Sequence, residues 1–373
     1  MVKLVMLCPD REMEGSCGMR KLVIKKNSLK NNIQIIKERS GSAAIYAVLS
    51  GNGCGAGTVE MARLLREEGI LRFAVNEVGE AEALRSAGFV EEEILMLRST
   101  TDRNELERLV DLSVVCTVSS VDTGMTLNAL AENRSTVVEA HIQVDTGLGL
   151  GGFLVSEPEK ILLAYRSLPN VALCGIYTQL HTSAGRDDHT DQQLELFQQV
   201  LGAIHDAGFE TGTVHAAGSY ALMHRELARL DAVRAGSVLM GRCRRTGNDG
   251  LLTVGSGEVN VAEVRWLPKG HTIGADHPVT LKKPTRVAVL PVGYQHGLTI
   301  ERPKGTGFWR MWLRWRKLKK FTVTIGGQRS RVIGQIGATE TVVDITNIKC
   351  SAGDIASFEM DPMFARGFVV EFR

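Results

Sequence analysis

Between residues 43 and about 240 the chain repeats one alternation eight times: a short apolar run, then a longer stretch with apolar residues at three- and four-residue spacing. The apolar runs are 43–49, 71–75, 94–97, 113–118, 137–144, 172–178, 213–216 and 232–239. Helical periodicity fills the intervals, as in 58–67, 77–87, 121–131 and 188–204. Eight strand-then-helix units over roughly 200 residues are the arithmetic of a (β/α)8 TIM barrel. A doubly wound open sheet competes for the same pattern.

After residue 245 the pattern changes to the short runs 261–266, 279–281, 286–292, 321–325, 331–336 and 341–345, separated by Gly, Pro and Asp. Ile325-Gly326-Gly327-Gln328 is a hairpin signal between alternating segments. The chain is therefore expected to be α/β: a barrel over 1–245 with an N-terminal extension 1–20, then a mostly-β domain over 246–373. The length of 373 residues fits two domains.

The balance of 44 Lys+Arg against 42 Asp+Glu leaves +2 and gives no global electrostatic case for nucleic acid. No apolar stretch approaches the ~20 residues of a membrane span. Pro9, Asp10, Arg11 and Glu12 interrupt any secretory core. Seven scattered cysteines without a Cys-x-x-Cys pair fit a reducing compartment, so a cytoplasmic protein without a leader is expected.

The motifs resemble those of the fold-type III, pyridoxal phosphate (PLP)-dependent alanine racemases. Ala47-Val48-Leu49-Ser50-Gly51-Asn52-Gly53-Cys54-Gly55-Ala56-Gly57 is similar to the family's first-strand motif. Phe73-Ala74-Val75 with Glu80-Ala81-Glu82-Ala83-Leu84-Arg85 resembles its second unit. Val144-Asp145-Thr146-Gly147-Leu148-Gly149, His215-Ala216-Ala217-Gly218-Ser219, Val233-Arg234-Ala235-Gly236, Pro291-Val292-Gly293-Tyr294 and Val343-Asp344-Ile345-Thr346 follow in the family's order. The resemblance implies a head-to-tail homodimer and PLP held as a Schiff base. It also implies a lysine and a partner-subunit tyrosine exchanging the α-proton from opposite faces.

The positions that carry that chemistry are changed. The lysine position is Ser50, which cannot form an imine, and the neighbouring phosphate-contacting tyrosine is Cys54. The opposite-face tyrosine position, in Gly270-His271-Thr272-Ile273-Gly274-Ala275-Asp276, is Ala275. The arginine after the Asp-Thr-Gly motif is Leu150, and the lysine before it is Gln143. The strand-end histidine is Gln179, and the Met-Asp pair of the β domain is Ala338-Thr339. Losing two groups that act as a unit removes most of a catalytic effect. No catalytic residue of the family mechanism is therefore expected, and no covalently bound cofactor.

The phosphate side of the implied pocket survives. Gly218-Ser219 and Gly236-Ser237 occupy the loops after strands seven and eight, where barrels hold phosphates, and Arg234 and Tyr294 are present. These residues read either as a site for non-covalent PLP or another phosphorylated ligand, or as tight turns and a structural ion pair. Asp145, Gln179, His181 and Cys54 are further barrel-mouth candidates. His181 with Asp187, Asp188 and His189 lacks helical metal-ligand spacing, so no metal is expected.

The insertion 304–320 has seven basic residues, no acidic ones, and Trp309, Trp312 and Trp315. It reads as a surface for a protein or anionic partner, with Trp309, Trp312, Arg314 and Trp315 as contacts, or as a hairpin packed at a dimer interface. The expectation is thus an alanine racemase-like homodimer without lysine chemistry that binds a small anionic or phosphorylated ligand or regulates a partner. The alternatives are an enzyme of another class using Asp145, His181, Ser219 and Arg234, and an amino-acid racemase with a displaced lysine, for which Lys25 and Lys26, expected on the first strand, are nearest in sequence.

Overall fold

All eight apolar runs form strands of one parallel wall. The structure, a computed structural model, describes residues 20–181, 187–243, 249–274, 278–298 and 321–373. Ala275 and the insertion 304–320, with Trp309, Trp312, Arg314 and Trp315, lie outside the described residues.

A first strand, β1 (Lys21–Ile24), precedes helix α1 (Lys26–Ser40). The wall then follows as β2 (Ala44–Val48), β3 (Arg72–Val75), β4 (Glu93–Met96), β5 (Cys116–Val118) and β6 (Val138–Asp145). The two-residue β7 (Phe153–Leu154) pairs only β6, and β8 (Val171–Thr178), β9 (Thr213–His215) and β10 (Ala232–Ala235) complete the wall. The order β4-β3-β2-β10-β9-β8-β6-β5 leaves one seam. A single parallel bridge, Leu95↔Val115, crosses it, with Met96 N–H donating to Val115 O and Val115 N–H to Ile94 O, each at 2.9 Å.

The connecting helices are α2 (Ser50–Cys54), α3 (Thr58–Glu67), α4 (Val78–Ser86), α5 (Arg103–Asp111), α6 (Val121–Asn133), α7 (Pro158–Ser167), α8 (Asp187–Asp206) and α9 (Ser219–His224). Helix α3 buries Met61, Ala62 and Leu65 at helical spacing and exposes its charged face. Helix starts are marked by side-chain caps: Asp102 accepts from Glu105 N at 2.9 Å, and Ser120 with Thr123 forms a capping box before α6. Arg85, near the end of α4, donates to the carbonyls of Leu112, Phe89, Glu92 and Ser113, tying the α4–β4 and α5–β5 turns together.

The described chain divides into two units: 24–255 with 372–373, and 20–23 with 256–371. The second unit carries β11 (Gly255–Asn260), β12 (Glu263–Leu267), β13 (Thr272–Ile273), β14 (Val279–Thr280), β15 (Thr285–Leu290), β16 (Thr322–Ile325), β17 (Gln328–Arg331), β18 (Thr341–Asp344), β19 (Ile355–Glu359) and β20 (Val369–Phe372). Its main sheet has the order β17-β16-β19-β11-β1-β20, so β1 joins the C-terminal sheet although it opens the described chain. The Gly326-Gly327 hairpin forms with Ile325 opposite Gln328. The run 331–336 differs from expectation: beyond Arg331 only Val332 bridges, to Val343. The chain turns at Gly334 (φ 74°), a left-handed conformation that ends an extended run.

Candidate functional site

The turn after β2 carries the position of the motif's lysine. Gly51, Asn52, Gly53, Cys54 and Gly55 all take positive φ (73°, 57°, 61°, 56° and 87°), a left-handed turn that three glycines permit. Asn52 and Cys54 adopt it against a steric cost of about 1–2 kcal/mol each. Glu80 offsets that cost from α4. One carboxylate oxygen accepts the Asn52 N–H at 3.0 Å, and the other accepts Asn76 N–H at 3.1 Å and Glu77 N–H at 3.3 Å. Asn52 Oδ1 in turn caps α3 through Thr58 N–H at 3.1 Å.

Ser50 opens this turn, and its Oγ is buried with no hydrogen-bond partner. Cys54 is buried, its thiol donating to Val48 O. No lysine stands on any of the eight wall strands. Lys25 is exposed and Lys26 half-buried at the start of α1, Lys30 pairs with Glu68 at 3.0 Å, and Lys160 pairs with Glu157 at 2.8 Å.

Below the mouth is a buried polar network that sequence reasoning left unassembled. Arg234 donates through Nη1 to His215 Nδ1 at 2.7 Å, and through Nη2 to the carbonyls of Thr178 at 2.6 Å and Ala216 at 3.2 Å. A guanidinium only donates, so His215 keeps its proton on Nε2 and passes it to His141 Nδ1 at 2.9 Å. The His215 ring stacks between Tyr46 (5.3 Å) and Tyr177 (4.9 Å), and Arg234 lies 5.2 Å over Tyr177. Burial, reinforced by the Arg234 charge, holds His215 well below its ordinary range and His141 down to about 4. Burial likewise lowers Arg234 to about 10, leaving it charged at neutral pH. Gly175 is needed here because a Cβ would fall 2.5 Å from His141 Nε2. His215 was visible only as part of its motif, and His141 carried no signal beyond its strand.

Beside Arg234, Ser219 Oγ accepts the Gly236 N–H at 3.0 Å and the Val238 N–H at 3.4 Å. The loops after β9 and β10 are thus joined through that hydroxyl, while Ser237 uses its carbonyl to accept Arg242 N–H. Nothing lies within 4 Å of where a Gly218 Cβ would be, so the approach to this pair of loops is open on that side.

The other mouth candidates make these contacts. Asp145 accepts the N–H groups of Gly147, Leu148 and Gly149 at 2.8–3.1 Å, which commits its carboxylate to the loop after β6. Gln143 donates to Gly151 O at 3.0 Å, and Leu150 is 70% exposed. Gln193 of α8 donates to Thr146 Oγ1 and Gln179 O and accepts the His181 N–H, so Gln179 and His181 are held by their backbones. His181 faces His189 at 6.4 Å between ring centroids. Among the described residues no group of three or more His, Cys, Asp or Glu side chains is disposed to hold a metal. Tyr294 lies in the other unit, half-exposed at the start of a 3-10 turn (Tyr294–His296).

A PLP molecule fits this site in part. Arg234 and the Ser219–Gly236 loops suit a heteroaromatic nitrogen and a phosphate, whereas the Ser50 hydroxyl cannot supply an imine nitrogen.

The fold defines a protein of the class that follows a parallel (β/α)8 barrel with a separate mostly-β domain. The alanine racemase N-terminal domain family matches residues 24–243, and its C-terminal domain family matches 254–359. The chain belongs to the alanine racemase family. It is 29% identical over 345 residues to an alanine racemase of Methanococcus maripaludis, covering 90% of this chain and 87% of that one. It is 30% identical over 335 residues to a broad specificity amino-acid racemase of Vibrio vulnificus, covering 88% and 77%. Among solved structures, alanine racemase from Streptomyces lavendulae superposes with a TM-score of 0.83 at 20% identity, covering 96% and 98%. The Bartonella henselae alanine racemase with covalently bound pyridoxal phosphate gives 0.78 at 20%, covering 95% and 99%.

Proposed function

We propose that this family member binds a small phosphorylated ligand non-covalently at the barrel mouth, and that it does not racemise amino acids by the lysine–tyrosine route. The observation that carries the reading is Ser50 itself: its hydroxyl is buried without a partner where the motif has lysine, and no wall strand offers a lysine in its place. The Ser219 hydroxyl would donate to the phosphate, and the Gly236 N–H, which donates to Ser219 Oγ, would turn to the phosphate on binding. Arg234, fixed through four donor contacts to His215, Thr178 and Ala216, would present its remaining N–H to a ring acceptor. The protein would act as a cytoplasmic homodimer, in a ligand-binding or regulatory role, with 304–320 available to a protein or anionic partner. In support of the cytoplasmic setting, Cys54, Cys116, Cys174, Cys243 and Cys350 form no disulfide. Among the described residues no helix is long and apolar enough to cross a membrane.

A second reading, an amino-acid racemase with a lysine recruited from elsewhere, is favoured by the racemase names of relatives that cover most of the chain. One experiment separates the two. The purified protein is mixed with PLP, and its visible spectrum is taken before and after borohydride, with peptide mass spectrometry and an alanine racemisation assay on the same sample. Reversible binding without a pyridoxyl-lysine, weakened in Arg234→Leu and without turnover, supports the first reading. A mapped lysine adduct with turnover establishes the second.

A further inference from the structure

Outside the Arg234 network, one cluster joins a thiol, an imidazole and a carboxylate. Cys243 Sγ lies 3.8 Å from His224 Nε2, and the same nitrogen lies 3.9 Å from Asp249 Oδ2. His224 ends α9 with its side chain 7% exposed, against the Tyr220 ring at 4.8 Å. Cys243 is half-buried, and its thiol also donates to the Ser219 carbonyl at 3.6 Å. Cys116, Cys174 and Cys350 donate to backbone carbonyls, and burial pushes Cys116 up to about 12 and Cys174 up to about 11.

We infer that Cys243 is a nucleophilic thiol activated by His224 and Asp249, a modification site for soft electrophiles of the disulfide class. The imidazole edge takes the thiol proton, and Asp249 stabilises the resulting imidazolium, so a thiolate–imidazolium pair replaces two neutral groups. The thiolate attacks one sulfur of a disulfide. The S–S bond breaks, a Cys243 mixed disulfide forms, and the departing thiolate leaves with the electron pair and takes up the proton held on His224. No other oxidant is required. The assignment does not rest on the ligand proposed for the barrel mouth.

The test uses the full-length native protein and an aromatic disulfide whose released thiolate absorbs in the visible, with the modified cysteine mapped by peptide mass spectrometry. The fastest phase should map to Cys243 and vanish in Cys243→Ser. His224→Gln should slow it about tenfold or more, one pKa unit of thiol activation being a tenfold change in thiolate fraction. Asp249→Asn should slow it less. The ultraviolet absorbance of the thiolate at neutral pH, lost in both Cys243→Ser and His224→Gln, separates activation from a mere change in access. Circular dichroism melting verifies that each variant folds, and Asp249→Asn carries the test if His224→Gln does not. A fastest phase on another cysteine, or a Cys243 rate and thiolate signal unchanged in the folded variants, overturns the inference.

Discussion

Replacing His141 with phenylalanine isolates one titration from the acid response of the barrel. Burial first, then the charges of Arg234 and Arg72, hold this imidazole down to about 4 from an ordinary 6.5. The folded protein therefore refuses a proton that the unfolded chain accepts. The stability this contributes is complete above the unfolded value near 6.5 and is withdrawn as the pH falls toward 4. Linkage with those two values gives a loss of about 2 kcal/mol by pH ~5 and about 3 kcal/mol once both states are protonated. His215, depressed by the same burial and the same arginine, acts in the same direction. Phenylalanine keeps a ring edge-on to Tyr46, where the histidine lies at 6.3 Å, but it cannot titrate. It also leaves the His215 Nε2–H without its acceptor, a pH-independent cost of about 1–3 kcal/mol. Guanidinium denaturation of both proteins near pH 8 and near pH 5 reads the difference. The variant should be weaker near pH 8 yet lose about 2 kcal/mol less than its parent on acidification. Equal losses would refute the assignment of the depressed proton affinity to His141.

Three further outcomes are expected. Arg85→Met removes the guanidinium that gathers the carbonyls of Leu112, Phe89, Glu92 and Ser113, and should cost about 2–4 kcal/mol in denaturant melts. Glu80→Gln replaces one accepting oxygen with a donor and should loosen the Ser50–Cys54 turn by about 1–2 kcal/mol, with faster amide exchange at Asn52. Ser50→Lys restores an amine at the motif position. With PLP it should give a borohydride-reducible adduct mapped to residue 50, and its absence would count against Arg234 and Ser219 as a PLP site.

Legibility followed the range of the interactions. The eight wall strands and the Gly326-Gly327 hairpin were readable because run length, periodicity and turn chemistry are local signals. The end of β1 before Lys25 and its place in the C-terminal sheet were not, because Leu22, Val23 and Ile24 pair with β11 and β20, more than two hundred residues away. β11, with Gly255 and Gly257, looks like a loop until Phe358 packs where a Gly257 side chain would be. At the site, Ser50, Ser219 and Arg234 were legible from motifs. The His141–His215 contact spans 74 residues and rests on tautomer geometry that composition does not encode. Asp145 had the type and position of a catalytic carboxylate. The three N–H groups it accepts, from Gly147, Leu148 and Gly149, were not legible, because they depend on how the loop after β6 folds back.

The seam between β4 and β5 has a consequence for how the wall breathes. These two share one bridge and two backbone hydrogen bonds, and β9 and β10 share one pair, Ala232↔His215, but there Arg234 also ties the strands through His215 and Ala216; the remaining neighbours are joined by ladders of three or more pairs. A cylinder opens where its circumference is thinnest, so transient unzipping should start there and expose Leu95 and Val115, both buried in the closed wall. Amide protection at Met96 and Val115 would then be lost through a partial opening, while Val233 and Arg234 of β10, across the ring from the seam, exchange only with global unfolding.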